Sequence, residues 1–447
     1  MPESNLQSPA QPRSHAAIFE ARADALFTQL KKDGLWKELQ IISSPMDAKV
    51  RLRTLDGKSR DVLCFCSNNY LGLANHPEVV EAGERALRDF GAGTASVRFI
   101  CGTFTPHLEL ERRIAEYMGT QASYTFVSAW TANEALFPTL CEPGDTIISD
   151  ELNHACIIDA IRLATTIKKG IHKAVYRNNV LEGEKSLRTA LEAASLNRSE
   201  SGKPGQIWVV TDGVFSMEGS IADLPKMRQL CDQFDAILVV DDSHGHGVMG
   251  TKGRGTHEHW GMIDEGEPSP DALAGMSTLS AMLDKSIDKG RVDLFTGTLG
   301  KALGGGAGGF VAGSRKAIDL LIQRGRPTLF SNALPVTIAC SASKAIEILQ
   351  REPQRVERLR SNVKYAREQL KNAGFDVLPS PTAICPIIVH DTAKAIAMSK
   401  RLLELDIYVI GFGYPVVAEG HARLRCQISA AHTTQHIDAL VDALKKL

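Results

Sequence analysis

The run from Thr296 to Gly306, TGTLGKALGGG, places one lysine, Lys301, between a hydroxyl-bearing approach and a series of glycines. An amine held in such a run can serve as a Schiff-base nucleophile. A phosphate-binding P-loop is excluded, because that motif needs Gly five residues before the Gly of the Gly-Lys pair and Ser or Thr after the lysine. Here Phe295 and Ala302 occupy those places. A dinucleotide-binding fingerprint is excluded too, since it opens near a first strand with an acidic residue about twenty positions on. This run instead lies two thirds of the way along the chain and ends in Phe310-Val-Ala.

A second constellation stands upstream. The run from Val239 to Gly247, VVDDSHGHG, ends an apolar segment with two acids and two histidines. Alone it could bind a metal, hold a cationic ring nitrogen by charge-assisted hydrogen bonding, or be structural. Paired with Lys301, Asp241 favours the second reading: a Schiff-base lysine and an aspartate for a pyridinium nitrogen make the minimal pyridoxal phosphate (PLP) site. Two further segments supply parts, a hydroxyl at Ser216 within Thr211–Gly219 and an imidazole at His154 within Asp150–Ala155.

These residues need a frame, and the short apolar runs 123–127, 146–148, 207–210 and 236–240 provide it, each followed by Ser, Asp or Thr and separated by helix-length segments. That pattern predicts an α/β fold with a largely parallel sheet covered on both faces, in which ligands sit where strands end. Ahead of it, Phe19, Ala23, Leu26 and Leu30 recur at helical spacing, predicting an arm-like amphipathic helix that stops near Gly34. Segment 197–204 reads as a loop, and 263–289, with Pro-Ser-Pro and an amphipathic stretch at 279–282, as an insertion too long for an ordinary connection. After Leu334 two long helical patterns and strand-like runs at 385–389 and 407–410 predict a smaller α+β domain. The expected division is 1–60 for tail, helix and arm, 61–333 for the large domain, and 334–447 for the small one.

Composition narrows the function. With 447 residues, 43% of them hydrophobic, and a net charge of −1, the chain can bury a large core yet offers no field for nucleic acid or an anionic membrane. Nine cysteines form no Cys-x-x-Cys pair and read as reduced, buried thiols; no apolar run reaches membrane-spanning length. A small-molecule enzyme of the cytoplasm is expected.

The segments SNNYLGL from Ser67, ASVRFICGT from Ala95, Asn153-His-Ala, DGVFSM from Asp212, Asp241-Asp-Ser-His, GTLGKALGG from Gly297, Leu329-Phe-Ser-Asn, Tyr414-Pro-Val-Val and QISAAHT from Gln427 together resemble the α-oxoamine synthases. These are PLP enzymes of fold type I, and the glycine C-acetyltransferase branch is the most similar. The resemblance implies a mostly parallel seven-stranded sheet and a homodimer with shared active sites. It implies Lys301 as the internal aldimine, Asp241 on the pyridinium nitrogen, His154 stacked on the ring, and His244 and Ser216 at its phenolic oxygen. Ser128, Ala129, Trp130 and Thr298, with Ser331 from a second subunit, would hold the phosphate. Arg425 would clamp the amino-acid carboxylate with Asn68 beside it. The implied reaction condenses glycine with acetyl-CoA through a quinonoid carbanion. Alanine or serine with a longer acyl-CoA and decarboxylation is the neighbouring alternative, and a non-catalytic partner subunit a more distant one. Trp130, where Phe is expected, His246, where a small or β-branched residue is expected, and the insertion depart from the branch's pattern.

Overall fold

The computed structural model describes residues 15–201, 205–263 and 291–447. Its centre is a seven-stranded sheet whose order across the sheet is Ala122–Phe126, Gly309–Gly313, Leu294–Thr298, Ala236–Asp241, Ile207–Asp212, Thr146–Asp150, His172–Tyr176. Only Gly309–Gly313 runs against its neighbours; the other pairs are parallel. Parallel strands need crossovers that cover both faces, so the inner strand Ile207–Asp212 is buried at every position, while the edge strand His172–Tyr176 leaves three of its five residues exposed. One core, from Leu110 and Phe215 to Leu424 and Ile437, runs unbroken past residue 334, while a second, with Phe137 and Ile161, fills the other face.

The C-terminal part carries a three-stranded antiparallel sheet, Ile384–His390, Ala422–Gln427 and Ile410–Phe412, with helices Gln354–Asn372, Thr392–Glu404 and Thr434–Leu444. The run read as one strand at 407–410 is divided. Ile407–Tyr408 pairs in parallel with Leu63 and Cys64 of the strand Ser59–Cys64, while Ile410–Phe412 pairs with Arg423–Arg425. Val409, 1% exposed, is the buried hinge between the two sheets. This pairing ties the N-terminal strands to the C-terminal part and explains why Ser59–Cys64 straddles the expected boundary at residue 60.

Helix His15–Lys32 forms as the periodicity predicts, but none of its residues is buried. The expected loop at 197–204 is instead helix as far as Ser201, because Leu187–Ser201 continues through Asn197 and Arg198, whose guanidinium caps Phe234 O at 3.1 Å. Apart from Ile263, the expected insertion lies outside the described residues. No helix among the described residues is long and apolar enough to cross a membrane.

Candidate active site

Parallel topology delivers the predicted residues to one place. Asp241 ends its strand in register with Thr296, and Asp212 ends the adjacent strand in register with Asp241. Lys301 follows Leu294–Thr298 by three residues. His154 sits at the start of helix Ala155–Ile167, where its backbone N–H donates to Asp212 Oδ2 at 3.1 Å.

Electrostatics then assign states. Burial alone would raise the Asp241 carboxyl, but donors outweigh it: Ser243 N reaches Oδ1 at 3.0 Å, and Asn133 Nδ2 and Thr296 Oγ1 each reach Oδ2 at 2.8 Å, with Lys301 nearby. The group stays below its ordinary value and carries its charge. Lys301 is pushed down to about 8 by burial, against the pull of Asp241 and Asp212. Asp212 is held well above its ordinary value by burial and by the Asp241 charge. His244 is depressed well below its ordinary value by burial, then by Lys301 and Arg425, so it is neutral; its Nδ1 lies 2.9 Å from the Tyr70 hydroxyl. His154 keeps an edge open to solvent, and surrounding protein and Lys301 lower it as well.

The residues expected to meet the substrate come from three elements. Arg425, in the middle strand of the C-terminal sheet, donates from Nε to Ser216 O at 2.6 Å, which fixes the guanidinium plane. The group of Ser216 engaged here is its carbonyl, not the hydroxyl singled out in the sequence. Asn68 Oδ1 accepts from Gln427 Nε2 at 2.7 Å and from the Tyr70 hydroxyl at 3.3 Å.

The remaining expected residues gather at the helix Ala129–Leu140. Ser128 is its N-cap, locked in a reciprocal capping box with Thr131. The strand Gly309–Gly313 passes so close beneath this turn that a Cβ on Gly309 would stand 2.3 Å from Ala129. Thr298 Oγ1 donates to Gly308 O and accepts from Gly300 N, at 3.2 and 3.1 Å. Ser331 lines a small cleft with Val127 and Thr131 of the same chain. Trp130 turns its indole edge-on to His154, with centroids 6.4 Å apart, and donates to Glu134 at 2.9 Å.

His246 lies behind the strand rather than among these groups. Its ring stacks on Phe310 at 5.3 Å, and a Cβ on Gly297 would stand 2.7 Å from it. The glycine of Thr-Gly-Thr therefore makes room for the bulky residue. Among the described residues the potential metal ligands that gather in a group of three are His76, Glu78 and Glu352; Asp242, His244 and His246 form no such group.

Sequence reading missed Asn133, Thr296, Cys156 and Tyr70.

The family model of aminotransferase class I and II matches residues 60–444. The 2-amino-3-ketobutyrate coenzyme A ligase of Salmonella typhimurium is 40% identical over 417 residues, covering 93% of this chain and 94% of that protein. The mitochondrial 2-amino-3-ketobutyrate coenzyme A ligase of Homo sapiens is 37% identical, covering 96% and 93%. The 8-amino-7-oxononanoate synthase of Symbiobacterium thermophilum is 38% identical, covering 94% and 95%. Among solved structures, one of SPT with PLP internal aldimine superposes with a TM-score of 0.80 at 26% identity, covering 95% of this chain and 97% of that one. The chain belongs to the aminotransferase class I and II family, and within it to the α-oxoamine synthases.

Proposed function

We propose that this protein is a PLP-dependent acyltransferase that condenses glycine with acetyl-CoA to give 2-amino-3-oxobutanoate and coenzyme A. The observation that carries this reading is the pairing of a half-buried, depressed Lys301 amine with a buried, ionised Asp241, in a chain 40% identical to a 2-amino-3-ketobutyrate coenzyme A ligase over nearly its full length.

The residues present fit the cofactor. A carboxylate kept charged in the core beside a lysine suits a cationic ring nitrogen. The first-turn N–H groups of Ala129 and Trp130, which helix geometry leaves without intrahelical acceptors, suit a phosphate with Ser128 and Thr298. The close passage of Gly309 leaves no room for a side chain there. Ser331 would complete the phosphate pocket, and His154 would pack on the ring, with His244 and Ser216 at its oxygen. Bound there, the cofactor supplies an electron sink that acidifies the substrate's Cα–H.

The chain's own groups do the rest. Arg425, its plane fixed by Ser216, forks onto the glycine carboxylate beside Asn68. Asp241 holds its negative charge through three hydrogen bonds. Lys301, depressed to about 8, gives up its proton more readily than an exposed lysine and takes the Cα proton as general base. His244 stays neutral and so adds no charge that would compete for Asp241.

A second reading, alanine with a longer acyl thioester and loss of carbon dioxide, rests on the 38% identity to an 8-amino-7-oxononanoate synthase. The deciding experiment crosses glycine, alanine and serine with acyl-CoAs of increasing length and follows thiol release. Glycine with acetyl-CoA should turn over fastest, and Lys301→Ala should abolish the reaction. Turnover of another pair with none from glycine and acetyl-CoA would refute the first reading and favour the second.

The active form we propose is a homodimer in the cytoplasm, where the nine free thiols stay reduced. Arg98, held by Glu111 and stacked 4.3 Å from the Tyr124 ring, anchors a short helix that turns Phe99 and Ile100 outward, 60% and 66% exposed. Phe330, 72% exposed, and the bare apolar side of His15–Lys32 add to a surface of the kind a second copy covers.

A further inference from the structure

Cys156 is a buried thiol beside the site to which the proposed chemistry gives no part. Its backbone N–H donates to His154 Nδ1 at 3.2 Å, and its sulfur lies 2.9 Å from the same nitrogen. A ring nitrogen that accepts a backbone N–H presents a lone pair there, so the thiol can only donate to it, and the proton of the neutral imidazole must be on Nε2. With its hydrogen committed, the sulfur is left to accept, and Asn133 Nδ2 stands 3.4 Å away. The same amide nitrogen donates to Asp241 Oδ2 at 2.8 Å, and the Asn133 carbonyl is 3.3 Å from the Thr296 hydroxyl that also serves Asp241. The amide also donates to Ala129 O at 3.2 Å, so one of its hydrogens serves Asp241 and the other is shared between Ala129 and the sulfur; every donor along the path from Asp241 back to His154 still points one way.

Resting on the functional reading above, we propose that Cys156 is a positioning residue. Its backbone N–H sets the His154 imidazole in the Nε2–H form, and its thiol orients the ring through a hydrogen-bond chain that runs by way of Asn133 to Asp241. The group that packs on the cofactor ring and the group that meets its nitrogen are then set by one chain of contacts. Serine would preserve that chain, since a hydroxyl donates and accepts in the same directions; alanine would break it.

The test reads the imidazole itself. In protein labelled with 15N-histidine, one- and two-bond correlations report which ring nitrogen bears the proton, and His154→Gln identifies the His154 signals. Wild-type and Cys156→Ser proteins should show an unprotonated Nδ1. Cys156→Ala, which keeps the backbone N–H, should still show an unprotonated Nδ1, but with its signal shifted by loss of the thiol donor, and should hold PLP about tenfold less tightly, as expected for one lost hydrogen bond in a buried network. A protonated Nδ1 in the wild type overturns the proposal even if the alanine variant does not fold. It is equally overturned if Cys156→Ala matches the wild type, or if Cys156→Ser loses cofactor as badly as Cys156→Ala. The ring form is also read in cofactor-free protein, so a chain that takes up no PLP refutes the functional reading while leaving Cys156 decided by its own measurement.

Discussion

Replacing Lys301 by methionine should stabilise the cofactor-free protein. The ε-amine falls from 10.5 in the unfolded chain to about 8 in the fold, which corresponds to roughly 3 kcal/mol spent on keeping a charged lysine inside. That figure is net, because the attraction of Asp241 and Asp212 already opposes the burial term. The folded value is the lower one, so between the two values the unfolded chain binds more protons and stability rises with pH. The penalty is complete below about pH 8 and vanishes above 10.5. Lys301→Met, which keeps an unbranched stem of similar volume, should therefore gain about 3 kcal/mol at pH 7 and only about 1 kcal/mol at pH 10. Urea denaturation of both proteins at the two pH values, analysed with a common slope, measures the gap. A methionine variant less stable than the wild type at pH 7, or a gap that does not shrink by pH 10, would refute the argument. The same depression leaves about one tenth of Lys301 as free amine at pH 7, so the instability and the reactivity have one cause.

Arg425→Lys retains a cation but not the planar fork, and should raise the KM for glycine about thirtyfold, the value of one charge-assisted hydrogen bond of about 2 kcal/mol. The KM for acetyl-CoA should stay within about threefold; parallel rises in both would mean that Arg425 supports the fold and does not read the carboxylate. Phe330→Asp places a charge on an exposed apolar side chain and should leave the monomer's thermal unfolding unchanged while shifting sedimentation from dimer to monomer. An unaltered sedimentation profile would remove that face from the interface.

What the sequence disclosed and what it hid divide along a physical line. Lys301, Asp241, His244 and His154 were legible because each ends an apolar strand or lies within the turn that follows one, and parallel sheets gather strand ends whatever lies between them. Asn133, Thr296 and Cys156 were not, because their importance depends on register and on helix rotation, which long-range pairing sets. Thr296 reaches the Asp241 carboxylate only because the two residues are opposite one another across neighbouring strands, 55 positions apart in sequence. Shifting that pairing by one residue would turn Thr296 to the other side of the sheet. His246 shows the converse: it was conspicuous beside the two acids, yet the turn after the strand carries it behind Gly297 and onto Phe310. A glycine at 297 and a histidine at 246 are thus one packing decision, and any substitution that adds a Cβ at Gly297 must displace that ring. The strand that would move in response is the one bearing Thr296, so the pair bears on Asp241 through geometry alone, with no charge of its own to contribute.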